Sequence, residues 1–195
     1  MTARLMRGRP TLHTRRMRLD PMNEEHLPLL VELDSDPEVL RYILGRARTA
    51  AEATEFWGPL CRDRTPDSVG LGFWVGFLGE EFVGWWDLYP AFPDAGPVTE
   101  AELGYRLRRA WWRQGLAVEG ARELVRYGSE EQGLERIWAE TMAVNLGSRA
   151  VMERLGMRHT STEVRSWEHP IEGADQGEVT YTLWITHPTP AKTHL

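Results

Sequence analysis

The segment WWRQGLAVEG, residues 111–120, combines residue types that suit the binding of an anion. It is typical of a loop that runs into a helix, and it contains no acidic residue before Glu119. The first N–H groups of a helix have no partners within the helix and lie at the positive end of its dipole. Gly115 lets the backbone approach a ligand closely, and Arg113 adds a positive charge. The segment therefore indicates a site for an anion such as a diphosphate, with plain packing as the alternative.

Two other phosphate-binding motifs do not occur in the sequence. There is no GxxxxGK(S/T) segment, and no GxGxxG segment with an acidic residue about 20 positions later. We therefore expect neither a nucleotide triphosphatase nor a dinucleotide-dependent dehydrogenase.

The composition is that of an ordinary globular protein, because 42% of the 195 residues are hydrophobic and 27% are charged. We predict a single domain over residues 11–186, a basic flexible leader over 1–10 and a flexible tail over 187–195. No apolar stretch approaches the roughly 18 residues of a membrane span, and the amino terminus lacks the apolar segment of a secretory signal. We therefore expect a cytoplasmic protein with no membrane partner.

The cysteine and histidine content indicates neither a disulfide nor a metal site. Cys61 is the single cysteine, and the six histidines form no HxxxH pair. We expect no bound metal. No activating group lies near Cys61 in the sequence, so we expect a buried thiol without a role in the chemistry.

Charge is unevenly distributed along the chain. The formal net charge is −6, and six arginines precede the first acidic residue, Asp20, so that the rest of the chain carries about −12. An acidic body suits a cationic ligand such as an amine and speaks against a stable complex with nucleic acid. For the basic leader we leave three alternatives open: a solvated segment, a contact to RNA or an acidic partner, and a transit segment.

Three helices are predicted in the first third of the chain. The first is capped by Asn23, the second is a short helix over 36–42, and the third begins with the capping box of Thr49 and Glu52. The Gly-Pro pair at 58–59 is expected to kink or stop the third helix.

Strands dominate the remaining elements. In chain order we predict a strand over 11–19, an antiparallel hairpin over 71–88, a loop over 91–99, a strand over 99–107, a helix over about 117–127, a strand over 136–142, a helix that ends at Gly156, and strands over 158–167 and 179–186. In the strand 99–107, alternation places Glu100 and Glu102 on one face and Leu103 and Tyr105 on the other.

Two of these segments, residues 103–128 and 134–157, together resemble the acetyl-coenzyme A site of the GNAT N-acetyltransferases. The resemblance is to the branch of the ribosomal-protein alanine N-acetyltransferases, and its weaker part extends over roughly residues 11–186. The Q/R-x-x-G-x-G/A segment of the family matches Trp112, Arg113, Gln114, Gly115, Leu116 and Ala117. The second motif matches Asn145, Ser148, Val151, Glu153, Arg154, Gly156 and Met157. Trp112 departs from the usual Gln or Arg.

The resemblance implies an α/β (α+β) fold with a central, mostly antiparallel sheet that is splayed at a strand bulge, and with helices on both faces. It implies that the pyrophosphate of coenzyme A binds N–H groups before and within the first turn of the central helix, those of Arg113, Gln114, Gly115, Leu116, Ala117 and Val118. It further implies that the pantetheine arm lies along the backbone of Tyr105, Arg106 and Leu107. Gly104 is a natural place for the bulge.

The activity implied is direct transfer of an acetyl group from acetyl-CoA to a primary amine in a ternary complex. The first expectation for the acceptor is the α-amine of a protein or peptide N-terminus, because an amine with a pKa near 7.7 to 8.0 needs less help from a base than a lysine near 10.4. The alternatives are a small amine, a different acyl donor, and an acyl-CoA-binding module without turnover. The sequence is also compatible with a homodimer.

Glu102 and Glu140, on the strands expected to flank the cofactor, are the candidate bases, although both could be solvated strand carboxylates. Glu100 is a weaker candidate. Many family members use a tyrosine as the acid, but its position here is held by Met152, which cannot donate a proton.

Ser148 could instead hydrogen-bond the departing thiolate, or simply cap its helix. Asn145 is expected to position the pantetheine arm or its loop, with an Asx turn as the alternative. The thioester carbonyl would be polarised by a backbone N–H. Trp86 or Asp87 could line the acceptor pocket, because an aromatic ring and a carboxylate suit an ammonium group.

Overall fold

The computed structural model of the chain describes residues 8–91, 97–166 and 170–185. Most of the predicted leader, the predicted tail, and the ends of two predicted strands at Trp167 and Thr186 therefore lie outside the described residues. Arg9, which the sequence placed in the leader, is buried, and its Nε donates a hydrogen bond to Asp67 Oδ1 at 2.6 Å.

The described chain forms one eight-stranded sheet. Its strands are β1 Leu12–His13, β2 Arg18–Pro21, β3 Gly72–Leu78, β4 Glu81–Pro90, β5 Glu100–Leu107, β6 Arg136–Met142, β7 Arg158–Glu163 and β8 Glu178–Trp184. The spatial order is β1-β2-β3-β4-β5-β6-β8-β7, and every neighbouring pair is antiparallel except β5 and β6. The predicted mixed, mostly antiparallel sheet is thereby confirmed.

Helices cover both faces of the sheet. They are α1 Leu27–Asp34, α2 Ala50–Arg62, α3 Leu116–Arg126 and α4 Leu146–Arg154. One core lies between the sheet and α1 and α2 and includes Leu30, Trp57 and Trp85. The other lies between the sheet and α3 and α4 and includes Leu124 and Met152. Each helix therefore buries its apolar side against one face of the pleated sheet.

Trp86 belongs to the core on the α3 side. It is fully buried, and its Nε1 donates to the carbonyl of Ala117 at 3.1 Å. A Cβ on Gly120 of α3 would come within 2.5 Å of the indole ring, so this glycine lets the helix pack onto the tryptophan. The suggestion that Trp86 lines the acceptor pocket is therefore wrong, because alternation along β4 turns it to the opposite face from Asp87.

Residues 11–19 do not form one strand. They form β1 and the start of β2, joined by a turn in which the N–H of Thr14 donates to the carbonyl of Met17 at 2.9 Å. The hydroxyl of Thr14 accepts from the N–H of Met17, also at 2.9 Å. A side chain that bonds its own backbone in this way favours a turn over a continuous strand.

The short helix predicted over 36–42 is also wrong. This segment makes separate turns, with N–H to carbonyl bonds from Val39 to Asp36 and from Ile43 to Leu40. Val39 and Leu40 are both buried, so the segment contributes to the core without a regular helix.

Helix α2 begins as predicted, and the Gly-Pro pair at 58–59 does not stop it. The capping box is confirmed, because Thr49 Oγ1 accepts from the N–H of Glu52 and a carboxylate oxygen of Glu52 accepts from the N–H of Thr49. The helix nevertheless continues through Pro59 to Arg62. A proline removes one donor, and at this point, one turn before the end, that loss does not stop the helix.

The parallel pairing of β5 with β6 is short. It registers Glu100 with Arg136 and Glu102 with Trp138, and no later pair joins the two strands in the described chain. Beyond this point β5 stays paired with β4 and β6 stays paired with β8. A gap, here called the β5–β6 split, therefore opens between residues 103–107 and 139–142. The predicted splaying of the sheet is confirmed.

The bulge expected at Gly104 is not found in the pairing with β4. Asp87 and Gly104 are partners in an unbroken register that runs from Gly84 with Leu107 to Pro90 with Ala101. Gly104 has a different role, because a Cβ at this position would lie 2.3 Å from Asp87 Oδ1. The glycine makes room for the carboxylate of its cross-strand neighbour.

Candidate active site

The loop before α3 has the geometry of an anion-binding turn. Arg113 and Gly115 both have left-handed backbone conformations, with φ of 59° and 77°. Within the described part of the chain, none of the backbone N–H groups of residues 113–118 donates a hydrogen bond, whereas that of Glu119 donates to the carbonyl of Gly115. Consecutive free N–H groups at a helix N-terminus form a positive site for a phosphate. The predicted cofactor residues Gln114, Leu116, Ala117 and Val118 all belong to this loop and first helical turn.

Arg16, in the turn between β1 and β2, lies against this loop. Its Nη2 donates to the carbonyl of Gln114 at 3.1 Å and its Nε pairs with Glu119 at 2.7 Å. Glu119 also accepts from the hydroxyl of Thr14 at 2.7 Å. The hairpin thus anchors the start of α3 and adds a guanidinium beside the free N–H groups. The sequence carried no signal for this contact, because the partners are about 100 positions apart.

Tyr105 and Ser148 meet across the β5–β6 split. The Tyr105 hydroxyl lies 2.9 Å from Ser148 Oγ and donates to the Ser148 carbonyl at 3.0 Å. Burial raises the pKa of Tyr105 to about 12, against which the hydrogen bond with Ser148 acts. The phenol therefore stays protonated, and it holds the serine hydroxyl in place.

Asn145, and not Ser148, caps helix α4. Asn145 Oδ1 accepts from the N–H of Ser148 at 3.1 Å, and its Nδ2 donates to Thr141 Oγ1 at 3.0 Å. The alternative of a helix-capping role for Ser148 is therefore wrong, whereas the Asx-type turn considered for Asn145 is present. Met152 is buried and brings no proton donor.

Three carboxylates lie on one face of the sheet, from β4 to β6. Glu102 and Glu140 share this face because Glu102 pairs with Trp138, two residues before Glu140. Asp87 joins them because it pairs with Gly104, two residues after Glu102. We call Asp87, Glu102 and Glu140 the carboxylate row.

Burial and the charge of a neighbouring carboxylate both raise the pKa values of Asp87 and Glu102 in the carboxylate row. Burial raises the pKa of Asp87 well above its usual value, and the charge of Glu102 raises it further. The pKa of Glu102 is also raised, first by burial and then by Glu140. Glu140 is the outermost member, with a side chain that is 29% exposed and that accepts a hydrogen bond from Thr180 at 3.0 Å. Glu140 also pairs loosely with Arg165 at 3.5 Å, whereas Glu100 pairs tightly with Arg136 at 2.5 Å, which disfavours Glu100 as a base.

The side chain of Arg106 takes part in a buried ion cluster on the same side of the sheet. Its Nη1 donates to Asp34 Oδ1 at 2.6 Å, while Arg48 and the indole N–H of Trp57 donate to Asp34 Oδ2. Burial lowers the pKa of Arg106, and Asp34 opposes this effect. The sequence predicted only a backbone role for Arg106. It could not reveal the cluster, which joins β5 to α1 and α2.

Two open grooves flank the connection between α1 and α2. The larger, of about 460 Å³, is lined by Arg41, Leu44, Gly45, Arg46, Pro170, Ile171 and Glu172. The smaller, of about 330 Å³, shares Leu44 and Arg46 with it and is bordered by Phe56, which is 43% exposed. These grooves lie outside the carboxylate row and offer both apolar and charged surface.

The described residues contain no cluster of three or more His, Cys, Asp or Glu side chains able to hold a metal ion. None of the described helices is long and apolar enough to cross a membrane. Cys61 is buried, and burial raises the pKa of its thiol to about 11.

Comparison with known proteins now places the chain. Residues 16–158 match the family model of the acetyltransferase (GNAT) domain. The chain belongs to the GNAT acetyltransferase family. The family predicted from the two motifs is confirmed, this GNAT protein is an acyltransferase, and the co-substrate of such acetyltransferases is acetyl-CoA.

Relatives of this GNAT acetyltransferase are found among curated proteins and solved structures. It is 40% identical to FsC-acetyl coenzyme A-N(2)-transacetylase of Aspergillus fumigatus, over 96% of this chain and 83% of that protein. A GNAT acetyltransferase from Bacillus anthracis matches with a TM-score of 0.71 at 21% identity, covering 90% and 98% of the two chains. RimL, a ribosomal L7/L12 α-N-protein acetyltransferase in complex with coenzyme A, matches with the same score and coverage at 17% identity. The two structures establish the fold.

Proposed function

We propose that this GNAT enzyme transfers the acetyl group of acetyl-CoA directly to an α-amino group, in a ternary complex with the amine. The observation that carries the proposal is the β5–β6 split. Strand β5 leads from the split into the free N–H groups before α3, while the carboxylate row begins where the split closes. A cofactor held by its phosphates at the loop would lie along the split with its thioester near the carboxylates.

The chain's own groups fit coenzyme A. The N–H groups of residues 113–118, with Arg16 and Arg113 beside them, suit the pyrophosphate. The edge of β5 that has lost its partner β6 suits a pantetheine arm that adds like a strand along Tyr105, Arg106 and Leu107. Acetyl-CoA supplies the activated acyl group, and the protein orients it.

Proton transfers need a base and a hydrogen-bond donor. Of Glu102 and Glu140, Glu102 is favoured in the transfer of the proton that the amine loses, because burial and the charge of Glu140 raise its pKa toward that of an amine. Ser148 is the favoured donor to the departing thiolate, because Tyr105 and Asn145 hold it beside the split. Asn145 then acts through the first turn of α4, which carries Ser148.

Two considerations support an α-amine as the acceptor. The name of the 40% identical relative specifies transfer to N(2) of its acceptor. An α-amine also has the lower pKa among common biological amines, so that a carboxylate with a raised pKa can deprotonate it. A peptide N-terminus and a small molecule that carries an α-amine share this chemistry.

The test is release of free CoA thiol with matched acceptors. We expect turnover with an amino acid amide or with a peptide that has a free N-terminus. The faster of the two acceptors indicates whether the α-amine belongs to a small molecule or to a peptide. Lysine amide acetylated on its α-amine should be a poor acceptor. Preference for that ε-amine would overturn the α-amine assignment. Tight CoA binding without thiol release from any amine would leave only a binding module.

The loop itself can be tested by calorimetry with a matched pair of variants. Gly115→Ala and Gly79→Ala both place a Cβ on a left-handed glycine without a clash, since the Cβ on Gly115 would lie 3.7 Å from Arg16 Nη2 and nothing lies within 4 Å of the one on Gly79. Both variants should therefore lose similar stability, of about 1 kcal/mol. Only Gly115→Ala should weaken CoA binding, by about ten-fold, because its Cβ stands where a phosphate must approach. Equal CoA affinity in the two variants would rule out the phosphate site at this loop.

A further inference from the structure

Asp87 is a buried carboxylate whose inner oxygen has no partner. Only 7% of the residue is exposed, and Oδ1 meets no donor at hydrogen-bonding geometry within the described part of the chain, although the backbone N–H of Gly104 is near enough to oppose the rise in the pKa of the carboxyl. Buried polar groups are almost always paired, because an unpaired one forfeits its hydration without replacement. An unpaired carboxylate oxygen at such a buried position is therefore a sign of a ligand.

This oxygen points at the closed end of the β5–β6 split. A Cβ on Gly104 would lie 2.3 Å from it, so Oδ1 occupies the space above that glycine. The pairing of β5 with β6 ends at Glu102, and Gly104 is the next residue on the same face. Oδ1 thus stands at the point toward which the loop and the open edge of β5 would direct a thioester.

The surroundings of Asp87 suit a cation. Phe73, its partner on β3, packs edge-on against Trp85 at 5.5 Å and lies 5.9 Å from Tyr89. The charged groups that face Asp87 are Glu102, which disfavours its ionisation, and Arg106, which favours it. The guanidinium of Arg106 is committed to Asp34, which lies on α1. A carboxylate between aromatic rings, with its nearest guanidinium already paired, is arranged to receive an ammonium group.

We propose that Asp87 binds the acceptor's ammonium group and takes its proton, an inference that rests on the proposed acetyltransferase function. One N–H bond of the ammonium breaks, its electron pair stays on nitrogen, and the proton goes to Asp87 Oδ1. Glu102 and Glu140 lie next along the row on the same face of the sheet, and this order gives the proton a route to solvent at the Glu140 side chain, which is 29% exposed. The neutral amine is left beside the split with its lone pair free to attack.

The test is Asp87→Asn, assayed with two acceptors. One is an α-amine, which is largely protonated at neutral pH, and the other is an alkoxyamine, which is already neutral there. With the α-amine, kcat/KM should fall by about 10²- to 10⁴-fold, the usual contribution of a positioned base. With the alkoxyamine the loss should be below ten-fold, because there is no proton to remove before attack. The affinity for CoA, measured by calorimetry, should not change.

A matched control is Asp20→Asn. Asp20 is also a strand carboxylate, but it lies on β2 and pairs with Arg18 at 2.8 Å, away from the split. Its substitution should leave both rates unchanged. Equal losses for the two acceptors with Asp87→Asn, or no loss for either, would overturn the role of Asp87. If the unaltered enzyme releases no thiol with any amine, the proposed function fails instead, and the two failures are distinguishable.

Discussion

Asp34 and Asp87 are both buried aspartates on the α1 and α2 side of the sheet, yet their surroundings are opposite. The carboxylate of Asp34 accepts hydrogen bonds from Arg48, Arg106 and Trp57, whereas Oδ1 of Asp87 accepts none in the described chain. A buried charge is tolerated where donors converge on it and is costly where they do not. The first arrangement joins α1, α2 and β5, and the second leaves a group ready for a substrate.

The largest loss of stability in this comparison is expected from substitution of Asp34. Asp34→Asn would leave the guanidinium groups of Arg48 and Arg106 buried without a counter-charge. The free energy of unfolding, measured by urea denaturation, should fall by about 3–5 kcal/mol. A loss below about 1 kcal/mol, within the range of an exposed pair, would mean that the cluster contributes no more than a surface salt bridge.

A smaller loss of stability is expected when Asp34 keeps its charge and loses one hydrogen-bond donor. Trp57→Phe removes the N–H that donates to Asp34 Oδ2 at 2.9 Å, while most of the ring packing against Phe73 and Trp85 remains. Unfolding by urea should show a loss of about 1.5–3 kcal/mol, the range for a hydrogen bond to a charged group. A loss as large as that of Asp34→Asn would assign the stability to ring packing instead.

Asp87→Asn, unlike Asp34→Asn, should raise the free energy of unfolding. The gain should depend on pH. Burial and Glu102 raise the pKa of Asp87 in the folded protein, so ionisation disfavours the folded state. The contribution of Asp87 to stability is therefore complete below the unfolded pKa of about 3.9, and it is lost as the pH rises toward the folded pKa.

Asparagine has no such dependence. The stability of Asp87→Asn relative to the unaltered protein should therefore rise with pH across that window, with a slope of up to about 1.4 kcal/mol per pH unit. Thermal unfolding from pH 4 to pH 8 measures this difference. A variant that is less stable than the unaltered protein throughout would indicate a structural role for Asp87 like that of Asp34.

The sequence was most informative where the responsible interactions are local. The capping box of Thr49 and Glu52 spans three residues, and the turn at Gly115 needs only a left-handed backbone before a helix. The end of α4 at Gly156, with φ of 82°, is of the same kind. Hydrogen bonds between near neighbours leave a signature in residue type and spacing, and these predictions are confirmed.

Predictions failed where distant contacts decide the local conformation. Residues 36–42 look helical, but buried Val39 and Leu40 hold them in separate turns. Trp86 was placed near the acceptor in sequence, and the pleat of β4 turns it into the core beneath α3. The contact of Arg16 with the loop before α3, and the cluster around Asp34, join segments about 70 to 100 positions apart and could not be found from spacing.

By itself, the amino-acid sequence determined the family, the glycine turn before α3, the alternation that places Glu102 opposite Tyr105, and the absence of a proton-donating tyrosine at position 152, which is Met152. Local backbone preferences and the two-residue period of a strand are enough for these. Only the tertiary structure decided which of two buried aspartates is neutralised and which is left free at the β5–β6 split. That choice depends on whether side chains from distant elements converge on the same carboxylate, and no pattern along the chain records it.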